Sequence, residues 1–263
     1  MALHSSAGPR TPARTRSTAF ERVLSNARFA NGGTLPAALA IASAVSGEGR
    51  SHVARRLVET ASTSGAKTLL VDCDLRGRGL SLAMGAYAGR DLLAAIAREC
   101  PLEEAVVGTN VANLSFLGTA AQYARPAELL ASAAFSQLVQ DAASRYDLVV
   151  IDTPPVCSFV DAAEVGRASE GTLLVVRQDR TGRSEATAAA RQLRAAGVAL
   201  VGCVLNHASD RAEEPVRRVA APDGERDAAR GAHLAPRRWG GRRAPHDGPT
   251  PTEDEGGQPC ASR

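Results

Sequence analysis

Six short apolar runs, separated by segments of helix length, limit what this chain can fold into more than any other feature. The runs cover 39–45, 68–73, 114–117, 148–151, 172–176 and 198–205. Several are continuously apolar instead of alternating, as expected of parallel strands covered on both faces. Between them the pattern predicts helices at about 50–64, 90–99, 126–144, 160–168 and 183–196. Strand and helix in alternation predict an α/β fold: a doubly wound, mostly parallel sheet with helices on both faces. Apolar residues make up 44% of the chain, enough for such a core, but aromatics are only 3%. Ala, Val and Leu must therefore build it.

The domain boundaries follow from where this alternation stops. Residues 1–17 are polar, rich in Ser, Pro and Arg, and read as a disordered N-terminal segment. Residues 18–206 form the folded domain. From His207 to residue 263 the chain holds half of its prolines, and Val216, Val219 and Leu234 are the only aliphatics beyond alanine. That composition predicts a disordered Pro/Arg-rich tail, in which Arg237, Arg238, Trp239, Arg242 and Arg243 read as a solvated basic patch.

No apolar run approaches the roughly 18 residues of a membrane span, and no hydrophobic signal segment follows the basic N-terminus. The net charge of +3 gives no case for nucleic acid as a partner. Cysteines 73, 100, 157, 203 and 260 show no paired spacing and read as reduced thiols of a cytoplasmic protein.

Chemistry concentrates where three of the predicted strands end. The first runs into Ser46, Gly47, Glu48 and Gly49, and a helix is predicted to begin near Arg50. A strand, a glycine-rich turn and a helix N-terminus aim several backbone N–H groups at one spot, a geometry that favours phosphate. Ser51 falls where a hydroxyl would ligate Mg²⁺. The general phosphate-loop pattern places Gly where this chain has Ala44 and Lys where it has Arg50. Taken alone, the stretch fits a plain strand–turn–helix connection equally well.

Two further strand ends change that balance. The segment LLVDCDLR sets Asp72 and Asp74 at the end of a strand, with Arg76 just beyond. Ligands of doubly wound sheets bind outside the carboxyl ends of the strands, and two carboxylates there need a positive partner such as Mg²⁺. In YDLVVIDTPPV, Asp152 ends a third strand, and the two prolines after it stop any further ladder. Three such ends on one sheet edge describe a nucleotide site.

The order GEGRS, LLVDCDLR, RPAELLAS, YDLVVIDTPPV, GTLLVVR and VGCVLN resembles the bacterial tyrosine kinases of capsule and exopolysaccharide synthesis. The likeness is to their stand-alone cytoplasmic P-loop domain, the CpsD/CapB type, and covers about 18–206. It implies ATP and Mg²⁺ as cofactors. Ser46, Gly47, Glu48, Gly49, Arg50, Ser51 and His52 would form the phosphate loop, and Asn206 would contact adenine. Ser51 would hold Mg²⁺ with Asp72 and Asp152 about it, and Asp74 would lie near the γ-phosphate, where a tyrosine hydroxyl gives up its proton. The catalytic set so implied is Asp74, Asp72 and Arg50. The likeness also implies a membrane-embedded polysaccharide co-polymerase or activator as partner. That partner would hold the chain at the inner face of the plasma membrane. Partition-type ATPases share the first and third motifs, but they carry a signature lysine where this chain has Val45, and they lack the RPAELLAS segment.

Three departures from the family pattern point the same way. Arg50 replaces the loop lysine, and its planar, longer fork is not equivalent at a fitted phosphate site. Phosphoryl transfer is expected to fall by roughly two or more orders of magnitude, roughly 3 kcal/mol of transition-state stabilisation. Of 31 basic residues only Lys67 is a lysine, so a general drift to arginine is an alternative cause. The tyrosines are Tyr87, Tyr123 and Tyr146, and the family's C-terminal tyrosine cluster is missing. Finally, TAFERVLSNARFA places Thr18, Glu21 and Leu24 where the family's subunit-pairing helix has Glu, Arg and Arg, which argues against a homo-oligomeric ring. The reading is a polysaccharide-system P-loop protein with weakened or lost kinase activity. The alternatives are an active tyrosine kinase acting on other proteins, and a partition-type ATPase.

Overall fold

The computed structural model describes residues 13–85 and 90–208, with side chains from residue 18 onward, all within a single compact unit. Helix α1 (Ala13–Ala30) precedes β1 (Ala38–Ser43), α2 (Arg50–Thr63) and β2 (Thr68–Asp72). Three short helices, α3 (Gly79–Met84), α4 (Leu92–Ile96) and α5 (Leu102–Ala105), lead to β3 (Val107–Gly108) and β4 (Leu114–Leu117). The chain continues through α6 (Pro126–Leu130), α7 (Ala133–Arg145), β5 (Leu148–Asp152) and α8 (Asp161–Ala168). It closes with β6 (Gly171–Arg177), α9 (Arg183–Ala195) and β7 (Leu200–Asn206).

Among the described residues the sheet has seven strands in the order β3-β4-β2-β5-β1-β6-β7. Every pairing is parallel except that of β3 with β4. The continuous apolar runs are explained by burial on both faces. Leu69, Val71, Val149 and Ile151 pack on one side with Phe135 and Val139 of α7. Leu39, Ile41, Leu70 and Val150 pack on the other with Leu57 and Val58 of α2. Each fully buried side chain of this size contributes about 1.5–3 kcal/mol. With the interior so filled, the strand ends are the place left for polar chemistry.

The structure revises several local expectations. The helix expected over 126–144 is two helices, because Ser132 begins a new one by accepting from Phe135 N–H at 3.1 Å. The helix expected over 90–99 shortens to α4, opened by Asp91, whose carboxylate accepts from Leu93 and Ala94 N–H. The last strand starts two residues late because the C-terminal turn of α9 is still closing there: Gly197 has φ 77°, and Val198 N–H donates to Leu193. Helix α1 begins at Ala13, so the folded boundary placed at residue 18 moves back into the segment read as disordered.

The expectations for residues 1–12 and 209–263, including the tail arginines and Cys260, lie outside the described residues, as does Tyr87. Cys73 and Cys100 are buried and free, and Cys157 and Cys203 are exposed and free. Among the described residues no helix is long and apolar enough to cross a membrane.

Candidate functional site

Strands β2, β5 and β1 are neighbours, so their carboxyl ends lie side by side. Asp72 is the register partner of Asp152, and Ile41 is Asp152's partner on the other side. After β1 the chain turns through residues 44–49 into α2, with Gly47 at φ 81° and Gly49 at φ 86°. Both are left-handed conformations natural to glycine. A Cβ on Gly49 would also stand 2.2 Å from the Asn206 amide nitrogen. No acceptor among the described residues engages the backbone N–H groups of Gly47, Glu48, Gly49, Arg50 or Ser51. Five such donors at the head of a fourteen-residue helix make a cradle for an anion.

The loop is braced from beneath and from its flank. Glu48 is buried, with its carboxylate accepting from Val45 N–H at 2.8 Å and from the Thr181 hydroxyl. Asn206 donates to the Glu48 carbonyl at 2.8 Å, which ties the end of β7 to the loop. Arg177 donates to the Gly47 carbonyl at 3.3 Å, and the guanidinium of Arg180 rests against Gly47. Ser46 is exposed. His52 is set apart from the other loop residues: its ring packs edge-on to Phe20 of α1, with centroids 6.4 Å apart.

Arg50, the first residue of α2, is only 8% exposed, and its whole guanidinium is engaged. Nε donates to Asp152 Oδ1 at 2.8 Å, Nη1 to Ser43 Oγ at 2.9 Å, and Nη2 to Asp74 Oδ2 at 3.0 Å. The fork therefore joins the ends of all three central strands. Ser51 donates to the other oxygen of Asp152 at 2.5 Å. The second oxygen of Asp74 accepts from Gly77 N–H at 2.9 Å.

Asp72 turns away from this clamp. Its Oδ2 accepts from the Ser81 backbone N–H at 2.8 Å and the Ser81 hydroxyl at 2.7 Å, and its Oδ1 from Asp74 N–H at 3.1 Å. Ser81 Oγ in turn accepts from Thr119 N–H, so Asp72 is built into the fold. Burial, and then the neighbouring Asp152 charge, push its pKa up to about 6. Burial also raises Asp152, against the pull of Arg50 and of the Ser51 hydroxyl. Nearby, Arg76 grips the fully buried Asp161 with two nitrogens, at 2.8 and 3.1 Å, and stacks on Phe159 at 4.2 Å.

Hydroxyl and carboxylate oxygens are the donors a magnesium ion takes. In the arrangement seen, however, they fit one poorly. Ser51 gives its proton to Asp152 Oδ2 at 2.5 Å, which leaves its lone pairs open, but the carboxylate charge that would draw the ion is already paired. The other Asp152 oxygen belongs to Arg50. Among the described residues no group of three His, Cys, Asp or Glu side chains converges to hold a metal.

The site thus gathers Gly47, Glu48, Gly49, Arg50, Ser51, Asp74 and Asp152, with Asn206 at its flank and Asp72 one step behind. The sequence reading missed Ser43, Ser81, Thr181, Arg177 and Arg180. Ser43 carried a weak signal, as a hydroxyl at the end of an otherwise apolar strand. The others join the site only through the tertiary fold.

Comparison with known proteins agrees with this geometry. A family model described as an AAA domain matches residues 37–180. The tyrosine-protein kinase YwqD of Bacillus subtilis is 30% identical over 195 residues, 74% of this chain and 82% of that protein. The kinase domain of the Escherichia coli tyrosine kinase ETK superposes with a TM-score of 0.67 at 27% identity, covering 73% of this chain and 77% of that one. The septum site-determining protein MinD of Pyrococcus horikoshii, solved with Mg-ADP, shares the fold at a TM-score of 0.56 and 24% identity, over 66% and 72% of the two chains.

Proposed function

We propose a function from one premise: the chain belongs to the bacterial tyrosine-protein kinases, P-loop proteins built on an AAA domain. Nucleotide is the general ligand of such a loop. This chain binds nucleotide in the cradle of Gly47 to Ser51 but transfers the γ-phosphoryl group poorly or not at all. It acts in a capsule or exopolysaccharide system as a regulatory subunit, held at the inner membrane face by a membrane-embedded co-polymerase.

One observation carries the loss of transfer: the guanidinium of Arg50 is closed on Asp152, Ser43 and Asp74. Phosphoryl transfer needs a mobile cation at the phosphates and a carboxylate free to take the tyrosine proton. Here the cation is committed to the strand ends. Both oxygens of Asp74, the candidate base, already accept hydrogen bonds. Those bonds fix the orientation of a carboxylate that still has open lone-pair positions, so the engaged cation is what carries the loss.

The test pairs calorimetric titration of the full chain with ATP and ADP against phosphotyrosine detection after incubation with Mg-ATP. Saturable binding without phosphotyrosine is expected. Robust tyrosine phosphorylation, abolished by Asp74→Ala, would instead establish an active kinase. The absence of any binding would remove the nucleotide reading.

A further inference from the structure

The engaged guanidinium has a consequence for the ligand itself. A phosphate loop normally presents its anion to a loop cation and a metal ion, with a hydroxyl and a carboxylate holding the metal. In this chain those two oxygen groups bond each other directly, and the remaining oxygen of Asp152 holds Arg50. A magnesium ion, which sheds water reluctantly, finds only the lone pairs of Ser51 open, with the charge of Asp152 already paired with Arg50. The guanidinium is difficult to dislodge because three partners on three strand ends hold it and little of it meets solvent. It already supplies the positive charge that the carboxylates of Asp152 and Asp74 require.

We infer that Arg50 is a built-in substitute for the divalent cation, so that this site takes nucleoside di- and triphosphates without magnesium. Binding then rests on the five backbone N–H groups of residues 47–51 and the N-terminus of α2, with Arg180 lying against Gly47 at the rim. None of these groups needs a metal to act. They also grip the phosphates nearest the loop and contain nothing dedicated to the last one. The site is accordingly expected to hold ADP about as tightly as ATP.

This inference rests on the nucleotide reading above, and the experiment separates their failures. The full chain and Arg50→Lys are titrated with ADP calorimetrically, once in excess EDTA and once in millimolar Mg²⁺. The inference expects the dissociation constant of the native chain to change by less than about threefold between the two conditions. It expects Arg50→Lys to tighten about tenfold or more on adding Mg²⁺. Magnesium dependence in the native chain equal to that of the lysine variant overturns the inference and leaves the nucleotide reading intact. Insensitivity in both chains overturns the role given to Arg50. No binding in either condition overturns the nucleotide reading and the inference with it. Should Arg50→Lys fail to fold by circular dichroism, Asp74→Ala, which removes one partner of the guanidinium, takes its place. A rise in magnesium dependence is expected there too, and no rise overturns the inference.

Discussion

Two arginines meet two buried aspartates at the carboxyl edge of this sheet, and they do so differently. Arg76 gives two nitrogens to Asp161, stacks on Phe159 and keeps about a third of its side chain in water. Arg50 gives one nitrogen each to Asp152, Asp74 and Ser43 and is almost wholly buried. The first is a two-point grip on one carboxylate, the geometry of a fastening. The second spreads one charge across three strand ends, each with another partner in reach. A cation placed that way neutralises the carboxylates beside the loop. The contrast separates a grip on one carboxylate from a charge shared over three strand ends.

Removing the fastening is expected to have the largest effect. Arg76→Ala leaves Asp161 buried without its partner and should lower stability by about 3 kcal/mol, the low end for buried pairs because water reaches Arg76. Urea denaturation measures this, and added Mg²⁺ should not restore the loss.

The second effect is a pH dependence from Asp72. Its folded pKa, about 6, lies above the usual carboxylate value. The folded state therefore holds the extra proton, and this contribution is complete below about pH 4 and lost as pH rises through about 6. The linkage amounts to roughly 3 kcal/mol at most. The stability of the native chain relative to Asp72→Asn should thus fall by up to that amount between pH 4 and 6.5. A constant difference would contradict the raised pKa.

Opening the clamp should cost less than opening the fastening once millimolar Mg²⁺ is present. In Arg50→Ala the buried carboxylate of Asp152 loses its cation, a cost of about 3 kcal/mol without metal. Millimolar Mg²⁺ should recover part of it by binding the vacated carboxylates. A loss equal to that of Arg76→Ala, with no recovery, would erase the distinction between the two arginines. The smallest effect is expected from the exposed Arg125–Glu128 pair, where Arg125→Ala should change stability by less than about 0.5 kcal/mol.

The sheet was legible in the sequence because burial on both faces writes itself as unbroken apolar runs: 68–73 became Thr68–Asp72, and 148–151 became Leu148–Asp152. The loop and the three aspartates were legible for the same reason, as polar residues where such runs stop. Short elements left no such trace. Helix α3 buries only Leu80 and Ser81, and β3 has two residues. The direction of a side chain was equally hidden. Nothing in GEGRS says that Arg50 reaches across to Asp152 and Asp74 while His52 turns to Phe20. Ser81, which holds Asp72, is nine residues away along the chain, with no periodic pattern to link the two.

The central claim is that the closed guanidinium of Arg50 separates nucleotide binding from phosphoryl transfer. The most direct test compares the rate of γ-phosphoryl loss from Mg-ATP, to water or to tyrosine, in the native chain and in Arg50→Lys at equal nucleotide occupancy. The account predicts that restoring lysine raises the rate by about a hundredfold, close to 2.7 kcal/mol. Equal rates in the two chains, with both turning over at kinase speed, would contradict it.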